Sequence, residues 1–238
     1  MKWYKLFLAS TLGVSLVLLT SCLKGDNSES YSNAYGYVVT SSGVKYAKVS
    51  AGYPVTWTGL QSYESGSCLR FSFTTDLTVS GDGYLAQNVT GITSITKYSL
   101  SNNTPIDVDA DNVVSGIIPT AGAYDNWFGD NWFIAFATTK YPGKTVTPQF
   151  YYSTTIPEKF TGSTTDSVIV DVRLNVTGTA TSTTKETETK EYAVNLSPLR
   201  ALYSEDSRFK NKYIWVYFRY YATSTKPSYS KVYLYITN

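Results

Sequence analysis

The chain reads as all-β, and three observations carry that reading. Tyr, Val, Thr, Ile and Phe alternate with polar residues along most of the sequence, the period of a pleated, half-buried surface. Turn pairs recur at short intervals, at Ser42-Gly43, Gly81-Asp82-Gly83, Asn102-Asn103 and Pro142-Gly143. Helical periodicity is almost missing. Many short strands punctuated by turns indicate a β-sandwich or barrel.

Taken in order, the pattern predicts strands at 35–40, 44–49, 55–58, 68–74 and 84–98. A polar break within 100–111, where Ser101 opens the run Ser-Asn-Asn-Thr-Pro-Ile-Asp-Val-Asp-Ala-Asp, marks a domain boundary. Beyond it come strands at 113–118, 131–138, 146–152, 167–177, 189–196, 213–221 and 231–236. Residues 178–188 are Thr-rich and charged, the tip of a long hairpin. Ser197-Pro198 opens a short helix, with Ser197 expected as the N-cap and Pro198 in the first turn.

The start of the chain has a different character. Lys2 and Lys5 precede an apolar run from Leu6 to Leu19, shorter than the roughly 20 residues that span a bilayer. Leu19-Thr20-Ser21-Cys22 follows. This resembles the lipobox of bacterial lipoproteins, which implies cleavage of residues 1–21 as a signal peptide and lipidation at Cys22. Residues 22–34 are polar and small, and are expected to form a flexible tether. Losing Lys2 and Lys5 lowers the 20 basic residues to 18, equal to the 18 acids. A neutral body gives no electrostatic case for nucleic acid.

Residue usage excludes much chemistry. Histidine is absent, which removes Ser-His-Asp and Cys-His sites and His-ligated zinc or haem. With Cys22 lipidated, Cys68 is the one remaining thiol, so no intrachain disulfide or Cys-based zinc site can form. The alternation around Cys68 makes it a small core residue. Asp107, Asp109 and Asp111 occupy the first acidic positions of a calcium loop. Asn112 stands where the turn glycine belongs and Ile118 where the bidentate acid belongs, so the stretch reads as a solvated linker. No metal, no cofactor and no enzymatic activity are expected.

Two segments are candidates for ligand contact. Trp127 and Trp132 flank Gly129-Asp130; exposed, they could stack on a sugar beside Asp125 or Asp130, whereas inward they would fill a core. In 213–221, alternation sets Tyr213, Trp215, Tyr217, Arg219 and Tyr221 on one face and Ile214, Val216, Phe218 and Tyr220 on the other. The first face has interface composition, with Trp215, Tyr217 and Tyr221 as its anchors; a second packed sheet face is the alternative.

Gly36-Tyr-Val-Val-Thr-Ser-Ser-Gly-Val-Lys-Tyr and Gly66-Ser-Cys-Leu-Arg-Phe-Ser-Phe resemble the first domain of the NigD-like lipoproteins of Bacteroidetes. Asp125-Asn-Trp-Phe-Gly-Asp-Asn-Trp-Phe-Ile-Ala-Phe is similar to the strand opening their second domain. The resemblance implies an N-terminal OB-like β-barrel over 35–104 and a C-terminal immunoglobulin-like β-sandwich over 105–238. It further implies an outer-membrane lipid anchor, with surface display as an option. Family members often carry several acids after the cysteine, whereas only Asp26 and Glu29 follow closely here. The expected partners are the membrane, through the N-terminal lipid, and an envelope protein. A glycan of a carbohydrate-uptake system is the alternative ligand.

Overall fold

Ser42 and Gly43 both adopt positive φ, 50° and 80°, the backbone of a two-residue hairpin turn. That turn joins the first two strands of an almost entirely β architecture. The computed structural model describes residues 28–76, 83–122, 126–153, 166–223 and 225–237. The signal segment and Cys22 lie outside the described residues. Among the described residues, no helix is long and apolar enough to cross a membrane.

The strands are β1 (Ser28–Ser41), β2 (Val44–Val49), β3 (Pro54–Thr56), β4 (Cys68–Asp76), β5 (Tyr84–Ser101) and β6 (Val113–Gly122). They continue with β7 (Asn131–Lys140), β8 (Lys144–Tyr151), β9 (Ser167–Gly178), β10 (Glu186–Asn195), β11 (Lys212–Tyr221) and β12 (Pro227–Ile236). Among the described residues, one α-helix, α1 (Ser197–Ser204), follows β10.

Each expected strand has its counterpart, but β9 and β10, expected as the arms of one hairpin, pair in different sheets, β9 with β8 and β11 and β10 with β7 and β5. β1 also begins earlier than the periodicity indicated. Ser28 to Tyr31 pair with Asp76 to Phe73 on β4, so the end of the expected tether at 28–34 is strand. A bulge between Tyr31 and Ala34 then resets the register. The helix start also differs. Leu196 is the N-cap, and the Asn195 side chain accepts from the Ser197 amide at 2.9 Å. Asn195 thus supplies the acceptor expected of Ser197.

The first five strands pair in a circuit. β1 pairs with β2, β2 with β3, β3 with β5, β5 with β4, and β4 returns to β1. Val38, Val49, Val55, Leu69, Phe71 and Phe73 fill its interior, with Leu60 entering from a 3-10 turn at Thr58–Ser62. Gly36 makes this packing possible, because a Cβ there would lie 2.7 Å from the Phe71 ring. Each such buried side chain contributes about 1.5–3 kcal/mol of burial free energy.

β5 outlasts this circuit. Thr96 to Ser99 pair parallel with β10, and Leu100 and Ser101 pair parallel with β8. The tail of β5 therefore belongs to the second body, before the polar linker begins. In that body β10, β7 and β6 form one sheet, and β8, β9, β11 and β12 form another. Both sheets contribute to one apolar core: Ile134, Phe136 and Val194 from the first, Phe150, Val170, Val216, Phe218 and Leu234 from the second. A smaller cluster of Cys68, Ile95, Phe128, Phe133 and Ala193 joins the circuit to the outer side of the β7–β10 sheet.

Candidate functional site

β11 and β12 are paired antiparallel without a bulge, so their alternation holds over the full length. Ile214, Val216 and Phe218 face the core with Val232, Leu234 and Ile236, all essentially fully buried. Their neighbours must therefore point outward. The register sets Tyr213 opposite Tyr235, Trp215 opposite Tyr233, Tyr217 opposite Lys231 and Arg219 opposite Tyr229. Trp215, Tyr217 and Tyr221, the expected anchors, are half-buried on this outer face, and Tyr213 is 48% exposed.

The face has two chemical zones. At one end, the Tyr213 and Tyr235 rings lie 4.7 Å apart, and Tyr233 meets Trp215 edge-on at 5.6 Å. Lys231 Nζ sits 4.6 Å over the Trp215 ring, a cation–π contact that covers part of the indole with charge. Toward the other end, Arg219 donates to both carboxylate oxygens of Asp171, at 2.8 and 2.6 Å. Arg173 adds a contact to Asp171 at 2.9 Å, and its guanidinium lies 4.9 Å over the Tyr221 ring. Such a fork-to-carboxylate pair fixes orientation as well as charge. The parallel pairing of β9 with β11 brings Asp171 level with Arg219. Asp171 and Arg173 share a strand face in the sequence pattern, but nothing local announces that Arg219 meets them.

The other expected contact residues are placed differently. Trp132 is 8% exposed within the core cluster between the sheets, and Tyr233 of the edge strand β12, partly buried against that cluster, meets its ring edge-on at 5.6 Å. Buried there, it offers no ring face for a sugar. Trp127 is partly buried where the two bodies meet. It donates its indole N–H to the Val49 carbonyl at 2.9 Å, and Lys48 lies over its ring. Asp130 is buried and paired with Arg200 Nε at 2.6 Å. Arg200 also donates to the Tyr235 carbonyl, tying α1 to β12 and to the turn at 126–130. Gly129 in that turn has φ of 59°, and a Cβ on it would run into the Tyr37 ring. Asp125 lies outside the described residues.

The acidic linker is a turn with its own internal partners. Asp109 Oδ1 accepts from the amides of Asp111 and Asn112 at 2.8 and 2.9 Å. Burial works against ionisation of Asp109, but hydrogen bonds from the Asn112 and Asp111 amides and the Asn112 side chain outweigh it, so its carboxyl is held below its ordinary value. No group of three potential metal ligands occurs among the described residues. Cys68 is buried between the two bodies, and burial pushes its thiol up to about 12. At neutral pH it is a packing residue.

No protein-family model matches the chain, and no curated protein matches it. Solved structures do. An uncharacterised protein from Parabacteroides merdae aligns over 87% of this chain and 97% of its own, at TM-score 0.61 and 18% identity. A protein of unknown function from Bacteroides vulgatus aligns over 87% and 90%, at TM-score 0.56 and 12% identity. A presumed lipoprotein from Bacteroides fragilis aligns over 88% and 99%, at TM-score 0.55 and 12% identity. These likenesses show a shared β-rich fold extending through both bodies.

Proposed function

We propose that the chain is a lipid-anchored envelope protein of the NigD-like type, acting as a non-enzymatic binding module. The strand circuit β1–β2–β3–β5–β4 is its OB-like barrel, and the two facing sheets beyond are its immunoglobulin-like sandwich. Cys22 carries the lipid, at the outer membrane. The structural likeness to a presumed lipoprotein of Bacteroides fragilis supports this placement.

One observation carries the binding role. The outer face of β11 and β12 gathers Tyr213, Trp215, Tyr217, Tyr221, Tyr233 and Tyr235 opposite the buried apolar side chains of Ile214, Val216, Phe218, Val232, Leu234 and Ile236. Tyr, Trp and Arg are the side chains that dominate protein interfaces, because each combines a large apolar surface with a polar handle. The partner on this reading is another envelope protein. Photo-crosslinking from position 217 in intact cells tests the reading. A specific crosslinked species, lost in a Trp215→Ser, Tyr221→Ser variant that stays folded, is expected. Its persistence in that variant would remove the face from the account. The anchor is tested separately by palmitate labelling, which a Cys22→Ala substitution should abolish.

A further inference from the structure

The linker leaving β5 passes beside the end of β8 and the outer side of β9, and the three enclose an open cavity of about 270 Å³. Its volume is just below the roughly 300–1,000 Å³ of ordinary small-molecule sites, which suits one ring-sized ligand. Asn102, Asn103, Tyr151, Tyr152, Ile169 and Asp171 supply most of its character.

The hydrogen-bonding capacity of this lining is largely unspent. Among the described residues, the side-chain amides of Asn102 and Asn103 and the Tyr152 hydroxyl make no hydrogen bond within the protein, while the Asn103 backbone N–H donates to Ser101 Oγ at 3.2 Å. Asp171 is held in place by Arg219 and Arg173 through three contacts. A carboxylate has about four acceptor positions, so one remains for a ligand donor. An acceptor fixed in advance loses little freedom on binding. The Tyr151 and Tyr152 rings and Ile169 add apolar surface next to these groups. The lining contains one carboxylate and no Lys or Arg. An anionic ligand would therefore find no cation in the lining, and a cationic one would meet a carboxylate already paired by Arg219 and Arg173. A ligand that is small, neutral, rich in donors and acceptors, and apolar on its C–H faces satisfies all these terms.

We propose that this cavity binds a single neutral sugar residue, free or as part of a glycan. The amides and Asp171 would take its hydroxyls, and a tyrosine ring its C–H face. This goes beyond the aromatic interaction face and stands apart from it, since the two share only the Asp171 cluster. It also gives the glycan reading a different location from Trp127 and Trp132.

The test uses full-length protein in detergent, titrated with methyl α-glucoside, methyl β-galactoside, methyl α-mannoside and N-acetylglucosamine. Binding is followed by saturation-transfer NMR, with glucuronate as the charged comparison. Saturable binding of at least one neutral probe, with Kd on the order of millimolar, is expected. Asn102→Ala with Asn103→Ala should weaken it at least about fivefold, the loss of roughly one net hydrogen bond. Both amides are exposed, so that variant keeps its fold, which near-UV circular dichroism verifies. Tyr213→Ser, on the aromatic zone, should leave the affinity unchanged. Absence of saturable binding by every neutral probe overturns the proposal. So does binding that survives the double amide variant, or glucuronate binding more tightly than the neutral sugars. The crosslink from position 217 is read independently, so failure of the sugar site and failure of the interaction face are distinguishable.

Discussion

Two aromatic segments with similar composition have opposite fates. Trp127 to Phe133 turns inward, whereas 213–221 divides its aromatics between core and surface. The cause is what covers each sheet. On β7, Trp132, Ile134 and Phe136 enter the core between the sheets, while Phe133 points the other way. That side is covered by the β1–β5 circuit: Tyr35 stacks on Phe133 at 4.7 Å, and Cys68 and Ile95 pack beside it. Tyr35 and Arg70 also reach Glu191 across the junction, at 2.9 and 2.8 Å. On β11 the inner face is equally apolar, but the outer one carries hydroxyls, an indole and charges. Aromatic content alone does not distinguish the two; among the described residues, the polar handles on one and the covering β1–β5 circuit on the other do.

Phe133→Ala should give the largest effect, about 3–5 kcal/mol of stability lost in a denaturant titration, because a fully buried ring leaves a cavity that both bodies must absorb. A loss below about 1 kcal/mol would mean that the two bodies barely pack. Arg219→Ala should cost less, about 1.5–3 kcal/mol, the range for a hydrogen-bonded charged pair that is partly screened. No change at all would place Asp171 and Arg219 in solvent.

Acid should act through the linker. Asp109 has a lowered folded-state pKa, so its contribution to stability is present above its ordinary value of 3.8 and is lost as pH falls through the lower folded value. Asp109→Asn should flatten the stability profile below that pH. An unchanged acid limb would show that its turn does not hold the fold. The smallest effect concerns Cys68. At pH 8 its thiol should resist a maleimide probe in the native protein and react once unfolded. Rapid native labelling would mean that the junction opens readily.

Much of the architecture was legible from period-2 alternation, because most strands bury one face. The β11 alternation likewise separated Ile214, Val216 and Phe218 from Trp215, Tyr217 and Tyr221 correctly. What escaped depends on partners distant in sequence. Ser28 to Tyr31 lack alternation, and only pairing with β4 makes them strand. Trp132 could not be assigned to core or surface without knowing that a second sheet faces it. The Asn195 cap lies two residues before the amide it accepts from, in a position that reads as strand end. The meeting of Asp171 with Arg219 follows from a parallel register that no turn between them dictates. The cavity beside Asn102 and Asn103 lies in a stretch whose composition says only linker.

The contrast between the two segments is tested most directly by one paired denaturation experiment, Phe133→Ala against the triple variant Trp215→Ser, Tyr217→Ser, Tyr221→Ser. If the outer face is a binding surface, the triple variant unfolds within about 1–2 kcal/mol of wild type, while Phe133→Ala alone loses about 3–5 kcal/mol. A triple variant destabilised as much as Phe133→Ala would contradict the account and make the outer face of β11 a second packed core.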